Sequence, residues 1–183
     1  GKILGTGRFD LERASAMPGW ARELEGQHTP ETEAYGIESF VLRSPEPLHP
    51  WRFSTFMDQP LPGLIRAKGY VWLASRPQWV VSYSRAGNTA THEPVGRWWA
   101  SAPRDRWPPK GSPLREAIEA RWKEPWGDRL NEVVFIGRNM DRNAIEQAWK
   151  ALQLNPTEMR QGLKSWADLP DPFPQWEATA DVA

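Results

Sequence analysis

Apolar residues recur along the chain at two spacings, and the switches between them mark the elements. Residues 37–43 (IESFVLR) form a β-branched and aromatic run bounded by Gly36 and the turn-forming SPEPLHP, which predicts a strand. Pro50 then suits a first helical position. Phe53, Phe56 and Met57 follow at i, i+3 and i+4, which predicts a short helix closed by Gln59-Pro60. Residues 63–75 (GLIRAKGYVWLAS) and 78–85 (QWVVSYSR) read as two strands separated by Arg76-Pro77, and the turn AGNT at 86–89 leads into an extended ATHEPV.

Ser112-Pro113 places a capping hydroxyl before a proline at N1, with Leu114, Ala117, Ile118 and Trp122 forming one helical stripe. EVVFIG (132–137) has the composition of a buried strand stopped by Gly137. Asp141 can cap a helix whose apolar face is Ile145, Ala148, Trp149 and Leu152, and Asn155-Pro156-Thr157-Glu158 opens a last short helix ended by Gly162. The tail WADLPDPFPQW is too rich in proline for regular structure and is expected to cross the surface, pinned by Trp166, Phe173 and Trp176. At the other end, residues 1–35 join a short amphipathic piece to the polar run EGQHTPETEAYG, which has too little apolar surface to offset ordering entropy and reads as a linker.

The order is strand, helix, strand, strand, an extra strand, helix, strand, helix. It predicts an α+β fold with a ferredoxin-like split β-α-β core, an antiparallel or mixed sheet, an added hairpin strand and a C-terminal helix. At 183 residues the chain suits one domain with appended segments.

Composition then narrows the chemistry. Twenty-three basic and 23 acidic side chains cancel, so the chain as a whole lacks the positive field that recruits nucleic acid or anionic lipid. There is no cysteine, hence no disulfide, thiolate zinc ligand or thiol nucleophile, which fits a reducing, cytoplasmic setting. No apolar run approaches the roughly 20 residues of a membrane helix, so no membrane partner is expected. Gly1-Lys2 is followed by Ile3 and cannot serve as a phosphate loop, and HExxH, GxSxG and EF-hand patterns are missing. No catalytic residues are therefore assigned.

Candidate contacts remain. Arg66 and Lys68 share a strand face with Tyr70 and Trp72 by alternation, which would suit an RNA platform, although AKGYVWLA matches the RNA-binding octapeptide only at Lys-Gly-Tyr. His92 and Glu93 are adjacent, so on a strand they point to opposite faces and one metal cannot take both. With His28, His49 and His92 as the three histidines, a metal site is not assigned. Of the twelve tryptophans, Trp72, Trp79, Trp122 and Trp149 fall in core patterns. Trp98, Trp99 and Trp107 stand among arginines, which suits cation–π stacking inside the protein as well as on a ligand, and a core or interface role is expected of them.

In order, FDLERASAMPGW, YGIESFVLRSPEPLHPWRF, LIRAKGYVWLASRP, HEPVGRWWA, WGDRLNEVVFIGRNMD and DPFPQW resemble the CobW C-terminal domain, which follows the GTPase domain in the CobW-type family of metal chaperones. HEPVGRWW and DPFPQW look most like the subgroup tied to zinc limitation. The resemblance implies that residues 1–34 are the tail of a GTPase domain and that 35–183 are the CobW C-terminal domain. GTP, magnesium and zinc would belong to the parent protein, and this segment would hold no cofactor. It implies an accessory role, with the GTPase domain of the same chain and a metal-dependent client as partners. Arg66, Lys68, His92, Glu93, Trp98, Trp99, Asp128 and Arg129 are the candidate contact residues. One departure is visible: Gly127-Asp128-Arg129-Leu130-Asn131-Glu132 stands where relatives tend to have GDRRQE. A free-standing ligand- or RNA-binding module, and an activator of cobalt- or iron-dependent enzymes, are the alternatives.

Overall fold

The computed structural model describes residues 36–176; the linker expected over residues 1–34, and His28 within it, lie outside them. Five strands form one sheet in the order β1-β5-β2-β3-β4, where β1 is Ile37–Ser44, β2 Leu64–Val71, β3 Trp79–Ala86, β4 Thr89–Arg97 and β5 Asn131–Arg138. β2 pairs antiparallel with β3 and β5, and β3 with β4. β1 also runs antiparallel to β5. Ser44 meets Asn131 at one end, Phe40 stacks on Phe135 at 5.3 Å, and Glu38 reaches the Met140 amide at the other. The fold is thus α+β, as expected. β1 and β2 are the outer members of a split β-α-β unit joined through helix α1 (Pro50–Asp58), β5 fills the split, and β4 is the added hairpin strand.

The remaining helices are α2 (Pro113–Arg121), α3 (Arg142–Leu152) and α4 (Pro156–Trp166). α1 and α3 cover one side of the sheet. Phe56 of α1 meets Trp149 of α3 edge-on at 6.0 Å, Trp149 meets Phe135 of β5 at 6.1 Å, and Phe53 meets Tyr83 of β3 at 5.5 Å. Inward residues of β2 and β3, Ala67, Val71, Val81 and Tyr83, are fully buried beneath them. Burying a side chain of this size stabilises by about 1.5–3 kcal/mol, so this face supplies the main core. A second cluster of Trp72, Ala74, Leu154 and Trp166, with Trp126 packed against it, fills the far end.

Several expected boundaries move, each for a local reason. The strand expected over 63–75 ends at Val71, because the Trp72 amide donates to Asn131 Oδ1 at 2.9 Å and Leu73 bridges Leu48 instead. Gly137 does not stop β5; it lies within the strand, where a Cβ would come within 2.3 Å of the Gly63 carbonyl oxygen. Gly162 does not end α4, which kinks there at φ 76° and resumes to Trp166. On α2, Ile118 is buried, but Leu114 and Ala117 are exposed and Trp122 is half-buried, since the helix rests on a loop and not on the sheet. Three caps form as read: Ser112 accepts from the Arg115 amide, Asp141 from Ala144, and Asn155 with Glu158 completes a capping box.

Asn131 closes the sheet at the end where β1 and β2 diverge. Fully buried, its amide nitrogen donates to the carbonyls of Ser44 (3.1 Å) and Glu46 (2.7 Å), while its oxygen takes the Trp72 amide. The tail crosses the inner face of β3 and β4, held chiefly by Arg76. That guanidinium donates to Asp171 Oδ2 at 2.6 Å and to the carbonyls of Pro174 (2.5 Å) and Phe173 (2.7 Å), and lies 4.2 Å from the Trp176 ring centre. Phe173 is buried and Trp176 half-buried, as expected, whereas Trp166 belongs to α4 and the second core.

Asn131→Ala leaves three buried backbone groups unpaired, and we expect a loss of about 3 kcal/mol in urea unfolding. Arg76→Gln uncovers the acceptors of the tail; faster amide exchange confined to residues 171–176 and the strands beneath them is the expected readout.

Candidate functional site

Both major helices lie on one side, so the other face of the sheet is open among the described residues. Alternation along β2 buries Ala67 and Val71 and turns Arg66, Lys68 and Tyr70 outward, with Tyr70 51% exposed. The ladder aligns Tyr70 with Glu132 of β5 and Ser82 of β3, and Lys68 with Val134 and Ser84. Glu93 of β4 stands opposite Ser82 on the same face. At one end this face opens into a groove of about 240 Å³, lined by Tyr70, Val80, Trp98 and Leu130 and rimmed by Arg121, Asp128 and Glu132.

The eight candidate residues divide between this face and structural work. Arg66, Lys68 and Glu93 sit on the open face, and Trp98 walls the groove while its indole N–H donates to the Trp79 carbonyl at 2.7 Å. Trp72, expected beside Tyr70, is instead fully buried, since the strand has ended before it. His92 points the other way from Glu93, as alternation required, and lies beneath the tail with its ring 4.4 Å from that of Phe173. Burial holds its pKa below the ordinary 6.5; Arg76 adds to this, and Asp171 opposes it.

Trp99, Asp128 and Arg129 stabilise loops. Asp128 accepts the amides of Trp99 (2.9 Å) and Ala100 (2.8 Å), fastening the 3-10 turn Trp99–Ser101. Arg129 is spent on the Pro77 carbonyl (2.7 Å), the Trp126 carbonyl (3.1 Å) and Ser101 Oγ (2.7 Å), and burial lowers its pKa. Trp99 meets Trp107 edge-on at 6.2 Å. Trp107 itself is buried, with the guanidiniums of Arg104 and Arg115 at 3.9 and 4.4 Å from its centre. The arginine-tryptophan stretch is therefore a stacked wall.

A larger bowl of about 490 Å³ lies between α1 and α4, lined by His49, Trp51, Arg52, Glu158 and Pro170. Its charges are already engaged: Arg52 pairs with Glu158 at 2.5 Å, and Glu158 also accepts the Asn155 amide. Burial pushes the Glu158 carboxyl up, but these donors outweigh it and hold the pKa below the ordinary value. His49 caps α1 by position without a side-chain capping bond, and burial, then Arg52, lowers its pKa. Among the described residues no three His, Asp or Glu side chains converge. Nor is any of their helices long and apolar enough to cross a membrane.

The residues that build the groove, Val80, Arg121, Leu130 and Glu132, were not among those singled out. The signal for Val80 and Glu132 was the alternation of their strands; Leu130 and Arg121 join only through loop packing. His49 and His92 both favour the neutral ring in the fold, so their contribution is complete above about pH 6.5 and is lost as pH falls below it. We expect lower urea stability at about pH 5.5 than at about pH 7.5, with His92→Gln reducing that difference.

Residues 37–153 match the cobalamin synthesis protein cobW C-terminal domain. A zinc-regulated GTPase metalloprotein activator of Dictyostelium discoideum is 37% identical over 94% of this chain and 37% of its own length. A zinc chaperone of Mycobacterium tuberculosis is 29% identical over 71% of this chain and 32% of its own. The chain thus spans about a third of the length of the curated relatives it matches. The Zn(II)-bound YjiA GTPase from E. coli superposes with a TM-score of 0.46 at 18% identity, covering 69% of this chain and 33% of that one. On the match over residues 37–153, the chain belongs to the CobW C-terminal domain family.

Proposed function

We propose that this chain is the C-terminal accessory domain of a longer, cytoplasmic, GTP-dependent zinc chaperone, and that it contributes recognition in place of catalysis. In this reading residues 1–34 lead out of a GTPase domain and 35–183 form the accessory module. GTP, magnesium and zinc are handled by the rest of the parent. The partners are that GTPase domain and a zinc-dependent client protein.

The observation that carries the reading is the family match over 37–153 in relatives about three times as long, two of them named for zinc. The described residues support it with a sheet face that no helix among them covers. A cobalt- or iron-dependent client would change the cargo and leave the role of this domain the same. RNA binding is the second reading, because Arg66, Lys68 and Tyr70 share the open face. Steeply salt-dependent retention on an oligonucleotide column would favour it.

The test is to remove 35–183 from the full-length parent and follow GTP turnover and zinc delivery to an apo zinc enzyme. GTP turnover is expected to persist while delivery falls to the rate of free zinc. Undiminished delivery without the domain sinks the proposal, as does GTP hydrolysis by the 183-residue chain alone.

A further inference from the structure

The open face is divided into two chemically different halves. Over β3 and β4 the outward pairs Ser82–Glu93 and Ser84–Thr91 form a hydroxyl-rich surface that water solvates well, while Val80 belongs to the groove and Val95 of β4 is 43% exposed. Over β1, β5 and β2 the picture changes. Val41, Val134 and Tyr70 are large, apolar and 36%, 37% and 51% exposed; Val134 stands beside Lys68 in the ladder, and Tyr70 follows the cations Arg66 and Lys68 along the same face of β2. Arg43 is already paired with Glu132 at 2.6 Å, but neither Arg66 nor Lys68 has an acidic partner among the described residues. The groove beside Tyr70 continues this half and is walled by Val80, Trp98 and Leu130.

We propose that the β1–β5–β2 half is a docking surface for an acidic, apolar-faced segment of a partner protein. Carboxylates of that segment would lie on Arg66 and Lys68, and one large apolar side chain would enter the groove beside Tyr70. The inference rests on the accessory reading above and names the chemistry of the partner.

Two cations with no acidic partner among the described residues, beside exposed apolar side chains, select for negative charge with an apolar flank, because each charge gains most where its partner also excludes water. The groove supplies the second requirement, a concave apolar site for an anchoring side chain. A nucleic acid fits less well. Among the described residues Tyr70 is the one exposed ring on this face, where base stacking calls for several.

The experiment uses the 183-residue chain and two labelled amphipathic helical peptides. Both carry leucines along one side; one has glutamates flanking them and its twin has lysines. By fluorescence anisotropy, the glutamate peptide is expected to bind saturably and to weaken as salt rises, and the lysine twin not to bind. Arg66→Glu with Lys68→Glu should exchange that preference, and Tyr70→Ser should weaken binding about tenfold. Thr91→Gln, on the hydroxyl half, should leave it unchanged. All four positions are exposed, and thermal unfolding of each variant confirms the fold. Equal binding of both peptides, binding of neither, or saturable oligonucleotide binding lost in the double variant overturns the proposal. In the full-length parent, zinc delivery that needs this domain yet ignores the double variant overturns this inference alone. Delivery that ignores the whole domain overturns the accessory role beneath it.

Discussion

β5 lies between two strands that are joined to each other by a helix, and the faces, the ends and the tail all follow from that placement. Inserting a late strand into an early split requires that β1 and β2 be held apart at the right spacing and that their free ends be satisfied. Asn131 does both with one buried amide, binding the end of β1 through Ser44 and Glu46 and the end of β2 through Trp72. Close approach in the middle of the split requires Gly69, where a Cβ would sit 2.0 Å from the Glu132 carbonyl oxygen. Buried amides that satisfy several backbone groups at once are costly to disturb, because each orphaned group then carries its full desolvation penalty.

With the sheet closed in this way, α1 and α3 pack on one side and the irregular segments are left to find other support. Arginine supplies much of it. Arg76 laces down the tail, Arg129 ties the 77, 101 and 126 regions together, and Arg85, fully buried, donates to the carbonyls of Met57 and Gln59 at the end of α1. A planar guanidinium suits this task because it offers several donors in fixed directions and stacks on indole rings, whereas lysine offers a point charge. The wealth of tryptophan has the same origin: Trp107 between two guanidiniums and the run Trp72–Trp126–Trp166 give small loops a large buried area.

Among the described residues the consequence is a sheet with one face covered by helices and one face open. Residues that might have been reactive, among them His92, Asp128 and Arg129, are committed to the tail and loops. Of the candidate residues, Arg66 and Lys68 of β2 and Glu93 of β4 have no such commitment among the described residues and lie on the open face. A rigid sheet that presents cations beside an apolar groove is suited to contact, and on the proposed reading that contact is made within a longer parent protein.

Local chemistry was largely legible in the chain. Strand alternation, the proline at the start of α1, the caps at Ser112, Asp141 and Asn155, and the opposition of His92 to Glu93 all depend on neighbours within a few residues, so their pattern survives in one dimension. What depended on distant partners was not legible. Gly137 looked like a strand terminator and proved to be a point of close approach, and Leu114 fitted a helical stripe that faces solvent. Arg76 and Asp171 stand 95 positions apart with nothing local to join them. The sequence by itself determined which segments are strands and helices and that two cations and a tyrosine share one face of β2. Only the tertiary structure decided that β5 enters the split, that α1 and α3 gather on the opposite side, and that this face is left open among the described residues, because those outcomes depend on long-range packing that no local spacing encodes.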